Sequence, residues 1–325
     1  MLRLVLTSWL ILAGARAQAQ ERVAVSYSSV EAPNANWYIA QDRKLYQKYG
    51  VDAESIFIPS SSTVINAIIG GSVKVGNGTG GAIASAAVAG ASLVAVASFI
   101  NTLPYELVVQ ETIKSAADLK GKSIGIARLG SASDVAARVL LRALGLEPDK
   151  DVAIIQGGSG AERVAAFRGG RIAGFPSPPG VIHLAKGIPH RVIITTNDLP
   201  KRLPFPYVCV TTTKSYLASN RETVKRIVMA LIEGTHFFKT RKEESKKLLA
   251  KYSKQNNEAF LEASYVGNEP IFERLPLVTR DGMDIQLKEA VGRRANVNLK
   301  LDDIVDDSVV LQLEKEGFIE RLYKQ

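Results

Sequence analysis

The sequence predicts an α/β protein, and three observations carry that expectation. Short apolar, β-branched runs alternate with runs of helical period from Arg22 to about Thr212. That alternation gives mostly parallel sheets flanked by helices. Serine- and glycine-rich turns follow the carboxyl ends of the strand-like runs. From Asn220 onward the pattern is helical.

The first residues stand apart. Met1-Leu2-Arg3 precedes an almost wholly apolar run from Leu4 to Ala13, then the small-x-small triplets Ala15-Arg16-Ala17 and Ala17-Gln18-Ala19. This reads as a secretory signal peptide over residues 1–19. The other reading, a membrane anchor, fails on length, because the apolar run is too short to span a bilayer. The only cysteine, Cys209, is far from this leader. No lipid-bearing cysteine follows the apolar run, so the expected location is the periplasm, free of an anchor. One cysteine allows no internal disulfide and no cysteine-based zinc site.

The mature chain opens with a strand at Arg22–Tyr27, with Ser28 and Ser29 at its carboxyl end. A helix is predicted from Asn36 to Tyr49, stopped by Gly50. The second strand is Glu54–Ile58. Pro59 to Thr63 then forms a loop and helix cap, and the helix runs to Ile69 before Gly70-Gly71. Val73–Val75 is the third strand. Gly76 to Gly81 leads into an alanine-rich helix ending at Ala89. Leu93–Ile100 is the fourth strand, and Tyr105–Gln110 is extended.

Ser123–Ala127 is the next buried strand, Gly130 its turn, and Ser131 and Ser133 are N-cap residues. In the helix that follows, Ala136, Val139, Leu140, Ala143 and Leu144 share one face. Asp134, Arg138 and Arg142 line the other, and Gly145 closes it. Val152–Ile155 and Ile172–Phe175 are strands around a helix at Ala161–Phe167. A short helix at Val181–Ala185 and a strand at Arg191–Thr195 follow. Asn197–Pro206 reads as a crossover, Tyr207–Thr212 as the last strand. Helices are predicted at Asn220–Tyr252, Asn257–Val266, Arg280–Arg294 and Ser308–Leu322.

Two segments carry a family resemblance. Asp118-Leu-Lys-Gly-Lys-x-Ile-Gly125 stands before a serine-rich helix start, and Ile39-Ala40 to Lys48-Tyr49-Gly50-Val51 follows a recurrent family pattern, with Lys44 where glycine is usual. Over nearly the whole mature chain the sequence resembles the solute-binding proteins of ABC importers. The nearest group is the binders of sulfonates, taurine, nitrate and thiamine precursors, the SsuA/THI5-like or NMT1 family. The resemblance implies a type II periplasmic binding protein fold. One lobe would comprise residues 20–110 plus 207–325, and the other 111–206, with a ligand cleft between them. It also implies a small-molecule solute, a permease in the inner membrane, a monomer, and no cofactor. A periplasmic sensor of the same fold is the alternative use. Phe175-Pro-Ser-Pro-Pro-Gly180 departs from the Trp or acid usual near that strand end, and suggests a rigid wall.

In open α/β sheets, ligands sit beyond the carboxyl ends of the strands. From the first lobe these ends supply Ser28, Ser29, Trp37, Ser60, Ser61, Gly78, Thr79 and Gly80. From the second they supply Arg128, Ser131, Ser133, Gly158, Ser159, Pro176 and Ser177. The set is rich in hydroxyls and nearly free of acids. Three of the loops feed helix N-termini, whose free amides and partial positive charge suit an anionic or polar organic solute. Trp37 could instead pack the lobe, and Arg128 could bridge to Asp134.

Enzyme readings are weaker. Gly76-x-Gly78-x-x-Gly81 formally matches the dinucleotide fingerprint, but it follows the third strand. No acid stands about twenty residues on to hold a ribose. His183, His190 and His236 are dispersed, and no nucleophile elbow occurs. The formal charge of +9 falls to +7 without Arg3 and Arg16, since residues 1–17 hold no acid. The Lys and Arg residues form no aromatic-interleaved stripe, which excludes a nucleic-acid footprint.

Overall fold

The computed structural model describes residues 22–200, 203–292 and 297–324. The expected leader, and the end of the helix predicted to reach Arg294, lie outside the described residues. Among the described residues, ten strands form two five-stranded sheets. The first holds β1 (Val23–Tyr27), β2 (Ala53–Phe57), β3 (Val75–Gly78), β4 (Leu93–Ser98) and β10 (Cys209–Thr213). The second holds β5 (Glu106–Gln110), β6 (Ser123–Ile126), β7 (Ala153–Gln156), β8 (Gly174–Ser177) and β9 (His190–Thr195). Thirteen α-helices accompany them among the described residues: α1 (Ala35–Asp42), α2 (Leu45–Lys48), α3 (Ser61–Ile69), α4 (Gly80–Val88), α5 (Ala132–Ala143), α6 (Gly160–Arg168), α7 (Lys214–Ser219), α8 (Arg221–Thr240), α9 (Lys242–Ser253), α10 (Glu258–Asn268), α11 (Arg280–Val291), α12 (Ser308–Lys315) and α13 (Phe318–Tyr323).

The two sheets have one design. Their orders are β2-β1-β3-β10-β4 and β7-β6-β8-β5-β9. Three adjacent strands pair in parallel in each, and a fourth runs in the same direction. One strand, β10 or β5, opposes them and pairs antiparallel on both sides. β5 hydrogen-bonds in the second sheet, so the first crossover precedes Glu106 rather than falling at the expected boundary of 110/111. The crossovers run alongside each other. Phe205 N donates to Asn101 O at 3.1 Å, Tyr207 N to Ile100 O at 2.8 Å, and Thr102 bridges Pro204 antiparallel.

Four predicted elements differ. The helix expected over 36–49 breaks at Lys44, whose φ of 55° is left-handed. That is the position where the resembled family has glycine, and the conformation explains why. The third strand sits further along, at β3, with Gly76 and Gly78 inside the sheet. A Cβ on Gly76 would fall 2.5 Å from Ser26 Oγ, and one on Gly78 would fall 2.4 Å from Thr211 Oγ1. These glycines admit close packing across the sheet, so the nominal dinucleotide fingerprint is a packing pattern. The helix expected over 220–252 is two helices, α8 and α9, parted at Arg241 with φ −124° and ψ 65°. The helix expected over 308–322 is also two helices, α12 and α13, parted at Gly317 with φ 67°.

The larger core joins both lobes. It is centred on side chains with no exposed surface, such as Trp37, Tyr38, Phe99, Phe205 and Phe238, and it continues into the second lobe through Ile124 and Phe175. α8 packs on α1 so closely that a Cβ on Gly234 would stand 2.6 Å from Asn36 O. Overpacking of this kind costs about 1–3 kcal/mol. Gly234→Ala should therefore lower the unfolding free energy by an amount in that range, read in denaturant titration as a lower midpoint at an unchanged m-value. Cys209 on β10 is fully buried, and burial pushes its thiol pKa up to about 12. A maleimide at pH 8 should label it only as the sheet opens, so labelling should follow the unfolding curve.

Candidate functional site

A cavity of about 210 Å³ lies between the lobes, beyond the carboxyl ends of β1, β2, β6 and β7. Ten of the predicted residues line it: Ser28, Ser29, Ser60, Ser61, Thr79, Arg128, Ser131, Ser133, Gly158 and Ser159. Four do not. Trp37 has no exposed surface and packs the lobe interior. Gly78 lies inside the sheet, where Thr211 Oγ1 takes the space a side chain would need. Gly80 faces the return crossover, its N–H donating to Pro206 O at 2.7 Å. Ser177 is buried and donates to Pro178 O at 3.1 Å. It turns instead to a second cavity of about 680 Å³ that shares the Tyr105 ring with the first and holds Glu106 and His183. The proline-rich turn after β8 walls neither lobe's serine loops. It packs on α10, where a Cβ on Gly267 would meet Pro179 at 2.4 Å.

The first-lobe loops are tightly held. Ser28 N takes Asn34 Oδ1 at 3.3 Å, and Ser28 Oγ donates to Asn77 Oδ1. Ser61 and Thr79 hydroxyls stand 3.3 Å apart, and Thr79 caps α4 by accepting from Ala82 N. Ser60 precedes α3 with φ 78° and ψ 132°, a conformation costly for a residue with a Cβ. Its N–H donates to Ser28 O at 3.0 Å, and its side chain makes no cap on α3. The first amides of α3 therefore meet no side-chain acceptor from the cap residue.

In the second lobe the serines serve the loop itself. Ser131 caps α5, and Ser133 Oγ accepts the Ala127 N–H at 2.8 Å; both residues are 3% exposed. Asp134 accepts from Gly130 N at 2.8 Å and Arg138 Nε at 2.8 Å, so it is Arg138 and not Arg128 that bridges it. Arg128 is exposed at the cleft. Ser159 caps α6, and Glu162 returns the bond by accepting Ser159 N at 2.7 Å. That bond holds the Glu162 carboxyl below its ordinary range. Gly158 holds a left-handed φ of 79°, which a residue with a Cβ adopts only under strain.

The cavity is less free of acids than its loops suggested. Glu31, after β1, reaches across to the second lobe. Ser29 Oγ–H and the Gly160 N–H both donate to its carboxylate. A Cβ on Gly160 would fall 2.3 Å from Glu31 Oε1. Burial raises the Glu31 pKa, and Arg163 and the Gly160 bond work against that rise. Arg163 is 3% exposed; its Nη1 donates to Gly158 O at 2.9 Å, and its Nε has no partner. Tyr105 and Tyr207 form the floor, with hydroxyls 2.9 Å apart and rings edge-on at 5.8 Å. Burial pushes the Tyr105 phenol up to about 12 and raises Tyr207 further, so both stay protonated donors. Phe57, Val30 and Pro59 add apolar wall.

Sequence reasoning missed Glu31, Arg163, Tyr105, Tyr207 and Phe57. The tyrosines carry a signal in retrospect: each directly precedes the segment that enters as the opposing strand of a sheet. Arg163 follows the Gly157–Gly160 loop by one helical turn.

A model of the NMT1-like family matches residues 17–253. A Brucella abortus (strain 2308) protein, provisionally named a binding protein, is 29% identical over 257 residues, covering 75% of each chain. The periplasmic nitrate-binding protein NrtA of Synechocystis PCC 6803 superposes with a TM-score of 0.76 at 16% identity, over 91% of this chain and 88% of that one. The periplasmic aliphatic sulphonate binding protein SsuA of Escherichia coli gives 0.68 at 20% identity, over 87% and 91%. These likenesses show the two-lobed periplasmic binding protein fold.

The strain at Ser60 is testable. Ser60→Gly should raise the folded-state stability by about 1 kcal/mol, as relief of about 1–3 kcal/mol outweighs the flexibility cost of glycine. Chemical denaturation of the two proteins side by side would read it, and a lower midpoint in the variant would deny that Ser60 is strained.

Proposed function

The chain belongs to the NMT1-like family, and from that premise we propose that it is the periplasmic solute-binding component of an ABC importer. It captures a small anionic or polar organic solute between its lobes and hands it to a membrane permease. No chemistry is done on the solute, and no cofactor is needed. The observation that carries this reading is the makeup of the cavity. Serine loops from both lobes meet there over a tyrosine pair placed on the two crossovers.

The physics suits capture and release. A solute stabilises closure only by contacting both lobes better in the closed form than in the open one. Here each lobe offers donors: the α3 start from one, and Arg128, Arg163 and the α6 start from the other. The crossovers are two adjacent strands, a narrow hinge about which the lobes can turn. The cavity is smaller than the ~300–1,000 Å³ of drug-sized sites, which points to a compact solute. An exported, monomeric protein fits this use. Among the described residues no helix is long and apolar enough to cross a membrane.

A thermal-shift screen tests the proposal, using alkanesulfonates, taurine, nitrate, small carboxylates, phthalates and pyrimidines. A true solute at 100 times its dissociation constant adds about 2.7 kcal/mol to the folded state. The midpoint should move by several degrees with one class and not with the others, and Arg128→Ala should reduce the shift. Silence from every class, before and after unfolding and refolding to strip a carried-over ligand, would count against a solute-binding role.

A further inference from the structure

The start of α6 holds a carboxylate that belongs to the other lobe. Glu31 leaves the first lobe after β1 and places Oε1 against Gly160, which has no Cβ to obstruct it. The Gly160 N–H donates to it, and Ser29 Oγ–H steadies it from its own lobe. Arg163 lies buried one turn along α6, with Nη1 spent on Gly158 O and Nε without a partner. A buried guanidinium N–H left unpaired beside a cavity is a donor awaiting an acceptor. The helix N-terminus adds its partial positive charge.

We propose that the α6 start and Arg163 form a carboxylate subsite, and that Glu31 occupies it as a resident stand-in until a solute carboxylate displaces it. This rests on the solute-binding reading and sharpens it, from an anionic or polar solute to one bearing a carboxylate. A carboxylate is what the subsite is seen to accommodate. The Gly160 N–H satisfies one oxygen, and Arg163 Nε supplies the donor that Glu31 leaves unused. Glu31 also ties the lobes together before any solute arrives, and thereby sets the affinity against which a solute competes.

The experiment is chemical rescue with acetate as the probe. Glu31→Ala empties the subsite, and sodium acetate should then raise the variant's thermal midpoint saturably. Its apparent dissociation constant should be at least tenfold lower than any seen with the wild type. Small-angle scattering should show the variant expand without acetate and contract with it. Sodium chloride at equal ionic strength should do neither. Adding Arg163→Gln should abolish the response. If Glu31→Ala does not fold, Glu31→Ser serves in its place. A folded variant indifferent to acetate would overturn the proposal, as would an equal response in the wild type, in chloride or in methanesulfonate. A solute found in the screen together with failed acetate rescue would sink this inference and leave the solute-binding reading standing.

Discussion

The structure depends on the hydrogen-bonded pair of crossovers between the lobes. Asn101 with Phe205, and Ile100 with Tyr207, are backbone pairs that make the connection one narrow two-stranded ribbon. Each crossover then delivers the opposing strand of a sheet, β5 into the second and β10 into the first. Neither sheet is complete until the chain has crossed. The same geometry brings Tyr105 and Tyr207 to the floor of the cleft, since each lies just before its opposing strand. Their hydroxyl bond therefore sits on the hinge itself. In the proposed function, a turn of the lobes about this ribbon would move the tyrosine pair and so reshape the cavity floor.

The serines of the cleft divide by lobe in what they do. In the second lobe they are consumed by the loops: Ser131 and Ser159 cap helices, and Ser133 holds Ala127. Their hydroxyls keep the turn after β6 and the turn before α6 in fixed positions. In the first lobe Ser28 is held by Asn34 and Asn77, while the Ser60 hydroxyl pairs with that of Ser62 and leaves the α3 amides uncapped. Donor capacity toward the cavity thus comes from the uncapped α3 start on one side. On the other it comes from Arg128 and Arg163, the Gly160 N–H being already taken by Glu31.

Much of the fold was legible because strand and helix periods, glycine stops and serine caps are local properties. β1, α3, α4, α5 and α6 all begin within two residues of where the sequence pattern places them. The third strand was misplaced because Gly76, Asn77 and Gly78 resemble a turn in sequence. Only the approach of Ser26 and Thr211 explains glycine inside a strand. The serine loops of the site could be found from strand ends alone. Glu31 and Arg163 could not: the first acts in the opposite lobe, and the second is a helical arginine like many others until its burial is known. Ser177 was misassigned for a related reason, because a strand end has two faces and the sequence does not say which one meets the cleft.

The charge arrangement follows from these same pieces. A helix start attracts anions, yet α4, α5 and α6 each begin under a side-chain cap, which satisfies part of that demand internally. What remains is unequal between the lobes. The first lobe offers neutral amides at α3, whereas the second offers a buried guanidinium and one amide already answered by Glu31. Glu31 thus places a first-lobe charge against second-lobe donors, the same connection that a bound solute has to make. In the function proposed above, the empty protein and the loaded one would be stabilised by one kind of interaction and differ in whose carboxylate supplies it.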